Sequence, residues 1–407
     1  MRRRPSRIAL AMVSVSALLL GLLPAAAEAD SSPVTPVDRA AGWLMEQADN
    51  GALPKFDGTV DWALTSDAVL GLATAGATKQ QLAPFVKRLE AAVAAREYGH
   101  LGAGEVTVTD GGALAKLLVI AQATGTDTRD FGGVDLETAV RDELVDGMLG
   151  RRRSPAATVP SNTFGQAYVV LGLLRTRTDP RPAVRALLQQ QCPAGDFRLG
   201  VSTTVCDSPA ASADRDVTAM AIHALRAADR VEGIDVTSEL DKAISWLAKD
   251  QAADGSWIGS PSTDVANTNT TGLAARALAG MRPMSVSRAA GYVRSLQVDG
   301  GADDGAVAYT AEALHDGPAQ NRTQWLRATT QALWALVHWD VYSVEGTHEY
   351  NGRRWRTDCE TVSSGGGSCR SYIRARFVSS TQTAGGTWTY AMEEGWVFNN
   401  TVRFTQA

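Results

Sequence analysis

Along most of the chain, apolar residues recur with helical spacing in two alternating styles. One is amphipathic, with a charged face opposite an apolar stripe, and covers Val37 to Gln47, Lys79 to Glu97, Leu136 to Leu149, Pro182 to Gln191, Ser238 to Gln251 and Val286 to Gln297. The other is rich in Ala, Leu and Val with few charges, and covers Thr65 to Ala75, Gly111 to Ala123, Phe164 to Leu174, Asp216 to Ala227, Thr270 to Leu278 and Thr329 to Val337. A helix apolar nearly all round has to be buried, so the second set is predicted to lie inside and the first outside. With Ala68, Ala113, Ala167, Ala219, Gly272 and Ala332 as markers, the units recur every 45 to 60 residues. Six pairs, each with its amphipathic member first, predict about 12 helices. An open solenoid needs polar capping repeats at both ends, and none is evident. The expected fold is therefore an all-α, six-fold α/α toroid over residues 37–339.

The pattern changes from about Asp340. Residues 340–407 are poor in Leu, alternate over Tyr372 to Phe377 and Thr387 to Tyr390, and carry turn signals at Gly365 to Gly367 and Gly385 to Gly386. This predicts a small C-terminal β domain.

Ahead of the first helix, Arg2, Arg3, Arg4 and Arg7 precede an apolar run from Ile8 to Leu23 and a small-residue site at Ala25 to Ala29, the layout of a secretory signal peptide over 1–29. Residues 30–36 form a polar linker. The run is too short and wrongly flanked for a membrane span, so no transmembrane anchor is expected. Removal of 1–29, with four Arg and one Glu, moves the formal charge from −5 to −8, which argues against a nucleic-acid partner. Four cysteines suit an oxidising compartment. Local pairing of Cys192 with Cys206 and Cys359 with Cys369 is expected among the three possible connectivities, and the spacings give no metal site. Usage of Ala, Arg and Gly points to a high-GC actinobacterial genome.

The clearest repeated unit is Lys242 to Trp257, KAISWLAKDQAADGSW. Gln47, Gln191, Gln251 and Gln297 each follow an apolar helical residue, and Gly51, Gly195, Gly255 and Gly301 each lie four residues later. The Trp246, Leu247, Gln251, Gly255 and Trp257 run resembles the repeat of squalene cyclases and protein prenyltransferases, whose catalytic domains are α/α toroids. The resemblance covers about residues 37 to 339 and implies that the motif staples outer helices. It identifies a fold and leaves the chemistry open.

Ala213 to Arg226, ADRDVTAMAIHALR, is the sharpest chemical candidate. It is similar to the Asp-x-Asp-Asp-Thr-Ala run of class II terpene cyclases, whose middle Asp protonates an alkene. Asp214, Asp216, Thr218 and Ala219 match, and Val217 stands where the last Asp belongs. The resemblance puts Asp216 in the place of the acid, with Asp214 matching beside it, and His223 on the same helix is a further catalytic candidate by residue type. The plainer reading is that Asp214 caps the helix and Asp216 sits in its first turn, where the free amides favour its anion. Low aromatic content, 6%, speaks against a carbocation cavity. The prenyltransferase zinc set and a thioester Cys-Gly-Glu-Gln are absent. A carbohydrate-active toroid would draw on Asp67, Asp110, Asp214, Asp216, Tyr168, His223 and Arg276, with Trp62, Trp325 and Trp334 as aromatic platforms.

A secreted toroid followed by a β domain also resembles the layout of cobalamin carriers. That layout places the ligand between the domains, bordered by Asn162, Gln166, Asn267, Asn269 and Gln331. No cofactor is expected, a cobalamin-like ligand being the nearest prospect. The ligand-binding set is thus Asp67, Asn162, Gln166, Tyr168, Asn269, Arg276 and Gln331. The sequence favours a secreted, non-catalytic protein that binds an unidentified small molecule or a cell-envelope component. The alternative is an enzyme, with Asp216 as acid in terpene-like chemistry or as part of a polysaccharide hydrolase or lyase.

Overall fold

A computed structural model describes residues 34–101, 108–150, 162–207, 213–260 and 263–404. The expected leader and the first residues of the linker, 30–33, lie outside the described residues. The helices are α1 (Pro36–Glu46), α2 (Trp62–Thr74), α3 (Lys79–Ala94), α4 (Gly111–Thr124), α5 (Leu136–Asp142), α6 (Thr163–Leu173) and α7 (Arg181–Leu188). They continue as α8 (Arg215–Ala228), α9 (Thr237–Lys249), α10 (Thr268–Leu278), α11 (Pro283–Ser295), α12 (Ala311–Asp316) and α13 (Arg322–Leu336). Among the described residues thirteen helices stand where about 12 were expected, the short α12 being the addition.

The inner set is α2, α4, α6, α8, α10 and α13. Each packs on the next in that order, and α13 packs on α2. The outer helices correct the expected pairing. α3 packs on α2, α5 on α4, α7 on α6, α9 on α8 and α11 on α10, so an outer helix follows its partner rather than preceding it. α1 finds its partner in α13, at the far end of the helical region. The segment Leu136 to Leu149 is also not one helix. α5 stops at Asp142, and the rest forms β3 (Leu144–Val145) and β4 (Met148–Leu149) after an earlier pair, β1 (His100–Leu101) and β2 (Val108–Thr109). Further hairpins, β5 (Phe197–Arg198) with β6 (Ala213–Asp214) and β7 (Trp257–Ile258) with β8 (Ala266–Asn267), lead from outer helices into α8 and α10.

The repeated Gln and Gly work as staples between neighbouring units. Gln251 Nε2 donates to Gly255 O at 3.0 Å and to Ser285 O at 2.8 Å, the latter in the first turn of the next outer helix. Gln191 does the same with Gly195 O and Glu239 O, at 3.2 and 2.8 Å. A Cβ on Gly255 would stand 2.3 Å from Arg288 O, so only glycine lets the loop lie on α11. Trp257 is fully buried, and its indole N–H donates to Leu247 O at 2.9 Å. In the unit of Gln297 the expected glycine is displaced. Gly301 meets nothing, and Gly305 is the residue whose Cβ would stand 2.3 Å from Arg39 O on α1. Gln297 Nε2 accordingly donates to Gly305 O at 3.0 Å and to Pro36 O at 2.8 Å.

Beyond α13, β9 (Gly346–Tyr350), β10 (Arg353–Cys359), β11 (Ser368–Gln382) and β12 (Trp388–Arg403) form an antiparallel sheet in the order β12-β11-β10-β9. A disulfide joins Cys359 to Cys369, directly opposite in the β10–β11 register, and another joins Cys192 to Cys206. The segment before β9 rests on α11, where Ser287 Oγ donates to Ser343 O at 2.6 Å. No helix among the described residues is long and apolar enough to cross a membrane.

Candidate active site

Every inner helix begins with an Asp or Asn whose side chain accepts a backbone N–H three residues on, satisfying a donor that the helix end leaves free. The six caps are Asp61, Asp110, Asn162, Asp214, Asn267 and Asn321, with distances of 2.9 to 3.2 Å. Asp110, Asn162, Asp214 and Asn267 therefore hold helix ends. Gln166 is fully buried and spends its amide on the backbone of Leu149, Gly147 and Ala183. It has no group left for a ligand.

Beyond the caps, each inner helix is buried except along one stripe. Asp67, Lys116, Asp216, His223, Asn269 and Arg276 are the polar, partly exposed members of these stripes, and Gln331 shares that exposure on α13. Asp216 caps nothing. Its Oδ1 is buried with no hydrogen-bond partner among the described residues, and so is Oδ1 of Asn269. Desolvation, reinforced by the Asp214 carboxylate, pushes Asp216 up to about 6 against a hydrogen bond from the Thr270 side chain. The expected stabilisation of its anion by the helix end is outweighed by burial. Burial raises the Tyr309 phenol, and the Asp216 carboxylate adds to this against a hydrogen bond to Thr263.

Further along the stripe lies a connected cluster. Lys116 Nζ meets Asp67 Oδ1 at 2.7 Å and sits over the Tyr168 ring at 5.4 Å. Burial alone would lower the ammonium, but Asp67, Tyr168 and Tyr98 more than reverse this and hold it above its ordinary range. Arg276 Nη2 donates to His223 Nε2 at 3.0 Å, its guanidinium lies over Trp334 at 4.6 Å, and Tyr168 is close enough to act on it electrostatically. His223 is driven well below its ordinary value by burial and then by Arg276, Arg226, Arg175 and Arg230, so it is the neutral acceptor. The structure thus brings Asp67, Tyr168, His223 and Arg276 together, and places Asp216 and Asn269 nearer the capped ends of the same helices.

Lys116 was missed in sequence. Counted from the caps, Asp67, Lys116 and Tyr168 all stand six residues after Asp61, Asp110 and Asn162, while His223 and Arg276 stand nine after Asp214 and Asn267. Alignment on the caps exposes the stripe. Of the aromatic candidates, Trp325 and Trp334 are core residues, and half-buried Trp62 lies under Arg88 at 5.5 Å. A separate cleft of about 1000 Å³ opens between α1, α11 and the sheet, lined by Arg39, Tyr292, Arg294, Trp339, His348 and Tyr350. None of the inner-helix residues expected to border an interdomain site lines it. No group of three or more His, Cys, Asp or Glu among the described residues is arranged to hold a metal ion.

Solved structures supply the comparison. A crystal structure of a protein from Actinoplanes aligns over 74% of this chain and 98% of its own, at 17% identity and a TM-score of 0.54. The type II terpene cyclase MstE from Scytonema, without ligand, aligns over 74% and 96%, at 14% identity and a TM-score of 0.53. The same cyclase in complex with geranylgeranyl dihydroxybenzoate gives 14% and 0.54 over the same shares. The helical part has the squalene-cyclase-like fold. No protein-family model and no curated protein matches the chain. The squalene-cyclase-like neighbours that carry a stated activity are enzymes, which overturns the expectation of a non-catalytic binding or cell-surface protein. The enzymatic alternative is the reading left to propose, with Asp216, which caps no helix, as its candidate acid.

Proposed function

We propose that the protein is an exported enzyme in which six helical hairpins close into a toroid and Asp216 protonates a carbon–carbon double bond of an isoprenoid substrate. The observation that carries the reading is the Asp216 carboxyl, whose Oδ1 is buried without a partner among the described residues and whose pKa is pushed up to about 6. A carboxylic acid delivers a proton to an alkene only if it is kept protonated by a site that penalises its anion. The O–H bond of Asp216 breaks as the alkene π pair takes the proton. A carbocation forms on the more substituted carbon, and Asp216 is left as a carboxylate that offsets it. Closure is supported by the return of α13 to α2 and of Gln297 to Pro36, and export by the leader layout and the two disulfides.

The faces of three inner aromatic rings already carry cations. Trp334 lies under Arg276, Tyr168 under Lys116 and Trp62 under Arg88. These π faces are spent on the protein's own charges, so a migrating carbocation would find little stabilisation there. The reading is accordingly a short reaction, an isomerisation or a single ring closure, rather than a long polycyclisation. Glycoside cleavage fits the polarity of the stripe but needs a second free carboxylate, and Asp214 is committed to Val217 N.

The test is incubation with geranylgeranyl diphosphate and with squalene in deuterated water, followed by mass spectrometry of the product. One deuterium per turnover, lost in Asp216→Asn, is the expected outcome. Turnover without deuterium uptake, or an Asp216→Asn variant as active as the wild type, would overturn the reading.

A further inference from the structure

Hydrogen-bond donors exceed acceptors at the end of the stripe remote from the caps. Arg276 gives Nη2 to His223 and interacts with the Tyr168 hydroxyl, yet its Nη1 is buried with no partner among the described residues. Among the described residues no carboxylate lies within ion-pair distance of Arg276, and the inner acid Asp67 takes the Lys116 ammonium at 2.7 Å. The Trp334 indole N–H, on the ring beneath Arg276, is likewise buried and unpartnered. Arg226 turns Nη1 to the backbone carbonyls of Arg276 and Ala277, at 3.3 and 3.0 Å, and its charge also acts on His223. The Asp67 carboxylate acts on Arg276 from a distance but is already paired with Lys116, so the buried guanidinium is under-compensated, and an anionic ligand would supply the missing charge.

We propose that this end of the stripe binds the oxyanion of the substrate, a phosphate or a carboxylate, through Arg276 Nη1 and the Tyr168 hydroxyl. The Tyr168 hydroxyl interacts with the guanidinium, which has no acceptor, so the phenol proton is left to donate to the ligand. His223 accepts from Nη2 and so holds the fork with Nη1 turned to the ligand. The proposal rests on the reading of Asp216 only for the far end of the substrate. Asp216 to His223 and Asn269 to Arg276 are each two helical turns, so the anionic group sits roughly 10 Å from the atom that is protonated, at 1.5 Å per residue. This sets the substrate class as an amphiphilic olefin with an acidic head and a reactive double bond about that far away.

The test uses isothermal titration of the full-length protein with dodecyl phosphate, dodecanoate and dodecanol. At least one anion is expected to bind about tenfold or more tightly than the alcohol, and the better of the two names the head group. Arg276→Gln should abolish that preference and Tyr168→Phe should reduce it, whereas Asp216→Asn should retain it. Should Arg276→Gln not fold, Tyr168→Phe carries the test alone. Equal binding of anion and alcohol by the wild type, or an undiminished preference in a folded Arg276→Gln or in Tyr168→Phe, overturns the site. Anion binding lost with Arg276 but no deuterium uptake would leave the site standing and remove the acid chemistry. Uptake dependent on Asp216 without anion preference would do the reverse.

Discussion

Lys116 Nζ lies 2.7 Å from Asp67 Oδ1, and both side chains are about one-seventh exposed. The pair joins α2 to α4 across the inner stripe. A surface pair would contribute little, but an almost buried one leaves an uncompensated charge when a single partner is removed. Lys116→Met should therefore destabilise the protein by about 3 kcal/mol, and Asp67→Leu added to it should recover most of that loss. Urea denaturation of both single variants and the double variant checks this. A loss in Lys116→Met no larger than that of an exposed pair would show that water reaches the pair freely.

The glycine staples make a contrast within one loop. Gly301 and Gly305 both have left-handed φ, +78° and +91°, but only Gly305 is pressed against Arg39 O. Gly301→Ala should cost about 1 kcal/mol, the strain of a left-handed alanine. Gly305→Ala adds overpacking against α1 and should cost about 2–4 kcal/mol in all. Thermal unfolding of the two variants side by side is the measurement, and equal losses would mean that Gly305 is not a staple.

The same pair of glycines shows what could be read in the sequence. The inner helices were legible because Ala and Leu leave no polar face to hide, and the Gln–Gly staple because its spacing recurs. The partner of each outer helix was not legible, since hydrophobic period marks which face is buried and not what covers it. α1 waits for α13, a choice made by staples such as Gln297 on Pro36 rather than by proximity in sequence. Lys116 was overlooked because one lysine in an apolar run reads as a solvent-facing residue. The position of Asp216 in the first turn predicts a stabilised anion, whereas its Oδ1 is buried without a partner among the described residues and desolvation dominates. Burial of that kind depends on neighbouring helices, which a single helix cannot reveal.

The Cys192–Cys206 bridge closes a loop of 14 residues between α7 and α8. By chain entropy such a loop is worth about 3 kcal/mol. Replacing both cysteines with serine should lower stability by about that amount, with the midpoint of unfolding in reducing buffer moving far less for the variant than for the wild type. If reduction leaves the wild-type midpoint unchanged, the bridge adds nothing to stability.

Asp216 sets a stability against pH that opposes the capping reading. Its native pKa, about 6, lies above the unfolded value of about 3.9, so the native state holds the proton more tightly. By linkage, stability from this group is fully present below pH 4 and is lost as pH rises through 6. The side chain is half-buried, so the loss is put at about 1–2 kcal/mol rather than the full value of the shift. Asp216→Asn should flatten the pH dependence between 4 and 6 and be more stable than the wild type at pH 7. A helix-end carboxylate would give the opposite sign, a loss of about 0.5–2 kcal/mol at pH 7. Activity should follow the protonated fraction and rise as pH falls towards 5. Denaturation curves at pH 4, 5, 6 and 7 for both proteins separate the two roles, and an Asn variant less stable at pH 7 would assign Asp216 to the helix end.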